Sequence, residues 1–280
     1  MDGGSRVRRP VARPIVVGYD GSRASNAAAR WAARTAQRLG RMVRVLHVVP
    51  WPAISGGGSS AIELGTDTLG RTAERLLDRS CEDVRRDHPD VAIDAEVVIG
   101  HPVPVLLREA AGGSLVVLGA NERRELPPGS LLEHLATHSS IPVVAVPAGW
   151  RSNRGDQVVV GVDGSAESGN ALAFGLEFAE QTDAEVTAVL AYRDPRLLVG
   201  EDASVLLRDA TAAEAGGHPE VELTEKLVQG NPSNVLAEES RDAALLVVGS
   251  RGRSRIRGSL LGGVSRAVLR RPPCPVAVVR

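Results

Sequence analysis

Residues 14–22 read Pro-Ile-Val-Val-Gly-Tyr-Asp-Gly-Ser, and residues 157–165 read Gln-Val-Val-Val-Gly-Val-Asp-Gly-Ser. Each is a short β-branched run that ends in a Gly-x-Asp-Gly-Ser turn. An apolar run without polar alternation is a strand covered on both faces, the habit of parallel sheets joined by crossover helices. The serine closing each turn is placed to cap a helix. Alanine-rich stretches follow at 24–39 and 166–180. The same strand, turn and helix therefore occur twice.

The agreement continues outward. Val98-Ile99-Gly100-His101-Pro102 answers Val228-Gln229-Gly230-Asn231-Pro232, and the strand ending at Gly119 answers the one ending at Gly249. Ile141-Pro142-Val143-Val144 answers Cys274-Pro275-Val276-Ala277. Landmarks in one order over halves of similar length are a tandem duplication, with a period too long for a solenoid. The division is a basic tail at 1–13, a first domain at 14–149, a linker at 150–155 and a second domain at 156–280. Further strands are expected at 43–49, 91–99, 186–191 and 221–228, with short helices after Pro102 and Pro232. The fold class is α/β: two tandem doubly wound five-stranded parallel-sheet domains.

Composition narrows the function. The 280 residues carry 33 Lys+Arg against 34 Asp+Glu, a net charge of −1. Phosphate neutralisation needs a cationic surplus, so a dedicated nucleic-acid or anionic-membrane binder is excluded. Aromatics are 2% of the chain, too few for base-stacking platforms. Cys81 and Cys274 have no zinc spacing and point to a reducing compartment. No apolar run approaches the roughly 18–20 residues of a membrane span, and no apolar leader core follows the basic tail. The expectation is a soluble, cytoplasmic protein.

In a doubly wound sheet a ligand lies beyond the carboxyl ends of the strands, where strand order reverses. Two turns fall there in each copy. One is the Asp-Gly-Ser turn, Asp20 in the first copy and Asp163-Gly164-Ser165 in the second. The other is glycine-rich, running from Gly249 through Arg251 and Gly252 to Gly262, Gly263, Val264 and Ser265, where a helix opens. Glycines let a backbone approach phosphate, and amides at a helix start supply donors.

On these motifs each half resembles a universal stress protein domain, whose ATP-binding members carry G-x(2)-G-x(9)-G-[S/T]. The resemblance covers the chain from Pro14 onward, twice. It implies that Asp163 contacts the adenosine end and that Ala191 lines the adenine slot through its backbone. Gly249, Gly252, Gly262, Gly263 and Ser265 would surround the ribose and phosphates, with Arg251 among the arginines able to clamp them. The implied ligand is ATP, with or without Mg²⁺, held mainly by the second domain.

The halves depart from the pattern differently. Gly263 stands where a hydroxyl residue is wanted. In the first half the matching stretch runs from Gly119 to Gly129-Ser130, with Glu122 replacing the second glycine. A carboxylate there repels phosphate, and Pro127-Pro128 removes two amide donors. The second site is expected to take ATP and the first to take it weakly or not at all, while Asp20 and Val48 still admit adenosine or AMP. The resemblance also implies that the two last strands pair with each other, and it leaves room for a homodimer.

Other features read as structural. His134 and His138 are not the H-E-x-x-H zinc pattern. The Ser-Gly-Gly-Gly-Ser-Ser run at 55–60 follows strand two and reads as a mobile connection. Cys274 packs as a small hydrophobe. The lone lysine, Lys226, is far from either glycine loop, and no nucleophile–base pair is evident. The expected function is an adenine-nucleotide-binding stress-response protein that acts through occupancy and protein partners, not turnover. An interaction scaffold without nucleotide, and a slow ATPase, remain the alternatives.

Overall fold

The computed structural model describes residues 12–50, 59–120, 129–151, 155–193, 203–253 and 260–280, the side chains of 59–70 excepted. The first repeat runs β1 (Ile15–Tyr19), α1 (Arg23–Leu39), β2 (Val43–Val49), α2 (Ser59–Asp87), β3 (Ile93–Ile99), α3 (Pro102–Ala110), β4 (Leu115–Ala120), α4 (Leu131–His138) and β5 (Val143–Pro147). The second runs β6 (Gln157–Gly161), α5 (Ala166–Thr182), β7 (Glu185–Tyr192), α6 (Ala203–Ala215), β8 (Leu223–Gln229), α7 (Pro232–Glu239), β9 (Leu245–Gly249), α8 (Gly263–Arg270) and β10 (Val276–Val279). Most of the Ser/Gly run at 55–60 lies outside the described residues, and Ser59-Ser60 begins α2.

Local chemistry sets these boundaries. Ser22 caps α1 by accepting the Ser25 amide at 3.1 Å, and Gly40 ends it in the left-handed conformation. Ser165 caps α5 in the same way, accepting the Ser168 amide at 3.2 Å. The strands are parallel within each repeat, and the sheet order is β3-β2-β1-β4-β5-β10-β9-β6-β7-β8. Two five-stranded sheets thus join into one of ten through an antiparallel pair, with Val276 opposite Ala145 and Val278 opposite Val143.

Both faces of the sheet are covered. Ile15, Val17, Val144 and Val247 point into one apolar cluster with α1 and α5, and Val16, Leu118, Leu246 and Val278 into the other. Trp31 of α1 stacks on Phe178 of α5, their rings 6.4 Å apart and nearly coplanar in tilt, which ties the repeats on the first face. Trp150, the first residue of the expected linker, is buried in that same cluster. No helix among the described residues is long and apolar enough to cross a membrane.

The small residues of α1 let its backbone lie directly against β4. A Cβ on Gly119 would meet the Ala24 backbone carbon and, at 2.5 Å, the Ser25 nitrogen. Gly119→Ala therefore forces α1 off the sheet and is expected to cost about 1–3 kcal/mol in urea unfolding. Gly169, in α5 with open space where a Cβ would go, is the control: Gly169→Ala should stabilise by about 0.5–1 kcal/mol. Equal effects at the two positions would contradict the close approach.

Candidate functional site

Strand order reverses between β1 and β4 and again between β6 and β9, so each repeat has one crevice at its strand ends. In the first repeat this is a cavity of about 450 Å³, and Asp20, Val48, Gly119 and Ser130 all line it. Leu46, Leu106 and Leu118 make apolar walls. Two lining residues come from the other repeat: Leu269 and Arg270, at the end of α8. Nothing local in the sequence marks them, because only the tertiary pairing of the repeats brings them there.

Asp20 accepts the Ser22 amide at 3.0 Å. Burial pushes its carboxyl up, but hydrogen bonds from Ser22 and Ser25 outweigh this and hold it below its ordinary value. His47, on β2, lies beside the Tyr19 ring at 6.2 Å. Burial lowers the imidazole pKa, with the Asp20 charge opposing. Its Nδ1 is buried without a hydrogen-bond partner.

At the start of α4, Ser130 caps the helix by accepting the Glu133 amide at 3.3 Å. One Glu133 carboxylate oxygen accepts the Gly129 amide at 3.1 Å, and the other accepts from Arg266 of the second repeat at 2.6 Å. The Gly129 amide assigned to phosphate thus already holds an internal carboxylate. The signal was legible, since Ser130-Leu-Leu-Glu133 has the spacing of a capping box. Glu122, Pro127 and Pro128 lie outside the described residues.

In the second repeat Asp163 gathers the site. One carboxylate oxygen accepts both the amide and the hydroxyl of Ser165, at 3.0 and 2.6 Å, and the other accepts the Arg253 amide at 2.9 Å. Gly252 lies so close that a Cβ there would collide with that second oxygen. Gly164 makes the turn with φ +77°. Ala191 lies at the carboxyl end of β7, two residues past the rung that pairs Gly161 with Val189.

The far end of the glycine loop returns to β9. The Gly262 amide donates to the Ser250 carbonyl at 2.8 Å, and the Arg251 guanidinium to the Leu260 carbonyl at 3.3 Å. Ser265 is buried, and its hydroxyl donates to the Gly249 carbonyl at 2.6 Å. That hydroxyl is directed into the protein, so what Ser265 offers outward is its backbone. Gly262 begins α8 with no side-chain cap. Gly263 has open space at its Cβ position. The first-turn amides of a helix, here those of Gly263, Val264 and Ser265, have no intrahelical acceptor. Arg255 and Arg257 fall outside the described residues.

The rings of His134 and His138 stack 6.1 Å apart. Each Nδ1 faces a carbonyl of its own helix, Ser130 and His134 respectively. No cluster of three His, Cys, Asp or Glu suited to a metal occurs among the described residues.

The sequence profile of the universal stress protein family matches residues 12–147 and again 155–280. The universal stress protein Rv2005c of Mycobacterium tuberculosis is 30% identical over 95% of this chain and 96% of its own length. A solved universal stress protein from Archaeoglobus fulgidus superposes with a TM-score of 0.76, at 22% identity, over 95% of this chain and 98% of its own. A universal stress protein solved in complex with cAMP is 33% identical over 46% of this chain and 98% of its own, with a TM-score of 0.38.

His47 gives the stability of the first repeat a pH signature. Its native pKa lies below the ordinary 6.5, so below that pH the unfolded chain binds more protons than the folded one. Stability is full above 6.5 and is lost as pH falls from there through the lowered native value. Urea melts at pH 7.5 and pH 5 should show this loss, and His47→Gln should flatten it. An unchanged pH slope in the variant would contradict the assignment.

Proposed function

The chain belongs to the universal stress protein family, and on that footing we propose that it binds ATP in the crevice of its second repeat and acts through occupancy, not turnover. The observation that carries this reading is the start of α8. A helix opening at the switch point on two glycines, with no side-chain cap, offers orphan amides and a positive dipole end to an anion. Asp163 on the neighbouring strand end holds the start of the same loop through Arg253.

The first repeat has the same crevice but a different helix start. There Glu133 already takes the Gly129 amide and Ser130 takes the Glu133 amide, and a triphosphate meets a carboxylate beside the helix start. Binding without turnover accords with the lysine inventory: Lys226, the single lysine, lies on β8 and pairs with Glu239 at 2.9 Å. In this reading the nucleotide-loaded chain is what a partner protein recognises.

Calorimetric titration of ATP into nucleotide-stripped protein tests the proposal, with an expected stoichiometry near one. Gly263→Glu adds a carboxylate in open space and should weaken ATP by about tenfold or more without altering the fold. Gly263→Ser supplies a hydroxyl and should tighten it by about threefold to tenfold. These are cleaner than Gly252→Glu, which would also displace Asp163. If ATP, ADP and AMP all fail to bind, the scaffold alternative replaces this reading.

A further inference from the structure

α1 and α5 lie side by side on the face of the sheet opposite to α4 and α8, joined by the Trp31–Phe178 stack. α1 carries Arg23, Arg30, Arg34 and Arg38 and no acidic residue. α5 carries Glu167, Glu177 and Glu180 and no basic residue. When the repeats are aligned on Ser22 and Ser165, Arg34 and Glu177 hold the same place with opposite charge. Arg30, Glu177 and Glu180 are exposed, and Arg34 is half-buried. Arg30 and Arg34 have no ion-pair partner among the described residues. Glu177 meets Gln181 at 3.0 Å and Glu180 meets His218 at 2.9 Å, each through one carboxylate oxygen.

The antiparallel β5–β10 seam reverses the strand direction between the repeats, so α1 and α5 also run in opposite directions. Their stacked rings fix a common height. Counting in opposite directions from Trp31 and Phe178 brings Arg30 level with Glu180 and Arg34 level with Glu177, within about 3 Å. A second copy can lie on this face about a two-fold axis in two ways. With the axis across the helices, α1 meets α1 and arginine opposes arginine. With the axis along them, α1 meets the partner's α5 at unchanged height, and the two level pairs form between copies, each twice.

We propose that the α1–α5 face is a self-complementary docking surface for a second copy of this chain. In it Arg30 and Arg34 of one protomer pair with the partner's Glu180 and the partner's Glu177. The proposal does not rest on the nucleotide reading, and the face it uses leaves α8 uncovered. Each helix has 17 residues and is about 25 Å long. Two such helices about 10 Å apart present about 500 Å², short of the roughly 800 Å² per partner of a standard interface. The dimer is therefore a weak one sustained by charge, with monomer and dimer in exchange.

Sedimentation velocity of the full chain over a range of concentrations tests this. At about 0.02 M salt a monomer–dimer equilibrium is expected, and about 0.5 M salt should weaken it by tenfold or more. Glu177→Gln with Glu180→Gln adds no like charge and should weaken the dimer by about tenfold. Arg30→Glu with Arg34→Glu, and separately Glu177→Arg with Glu180→Arg, should each give monomers. Mixing those two charge-reversed chains should restore a dimer, because both contacts are then complementary; that rescue also shows both variants folded. If the reversed chains do not fold, the Gln variant decides. A parent chain that stays monomeric at low salt overturns the proposal. So does a dimer indifferent to salt and to the Gln substitutions, or a mixture of folded reversed chains that stays monomeric.

Discussion

Two parallel five-stranded sheets each end on an apolar strand, and an apolar strand with one unpaired edge is a template for aggregation. Here β5 and β10 satisfy each other, and Val143, Val144, Ala145, Val276, Ala277 and Val278 are all essentially inaccessible. The rest of the molecule depends on that seam. It makes one sheet of two and sets the repeats head to head. It also carries α8, attached to β10, across to the first repeat, where Arg266 meets Glu133 and Arg270 reaches the neighbouring cavity. Trp31 and Phe178 close the opposite face of the same junction.

Within this frame the repeats have diverged in how they begin the helix after the fourth strand. α4 starts on a serine cap, with a glutamate folded back onto the preceding amide. α8 starts on glycine with no cap. An internal carboxylate and an external phosphate compete for the same orphan donors. The first repeat bonds the amide before its helix cap to its own glutamate, whereas α8 opens with no side-chain cap. Two crevices of one topology thereby acquire different chemistry through a handful of side chains.

Much of this was legible in the sequence because it is local. The paired Val-Val-Gly-x-Asp-Gly-Ser stretches mark both first strands, and Ser22 and Ser165 cap the helices that follow. Apolar runs without alternation mark a parallel sheet covered on both faces, as the two core clusters are. What was not legible depends on contacts between distant residues. No local pattern tells that Ser265 turns its hydroxyl inward to Gly249, that Trp150 is buried, or that Arg270 lines a cavity in the other repeat. Glu133 is an intermediate case: its capping box can be read, but its pairing with Arg266 cannot.

Hydrogen exchange of the backbone amides, with and without saturating ATP, tests most directly whether the second repeat is the nucleotide site. The account predicts slowed exchange at residues 249–253 and 260–266 and at the Asp163 turn, with the start of α4 unchanged, since its Gly129 amide is already bonded to Glu133. Protection confined to the first repeat, or none anywhere at saturating ATP, would contradict it.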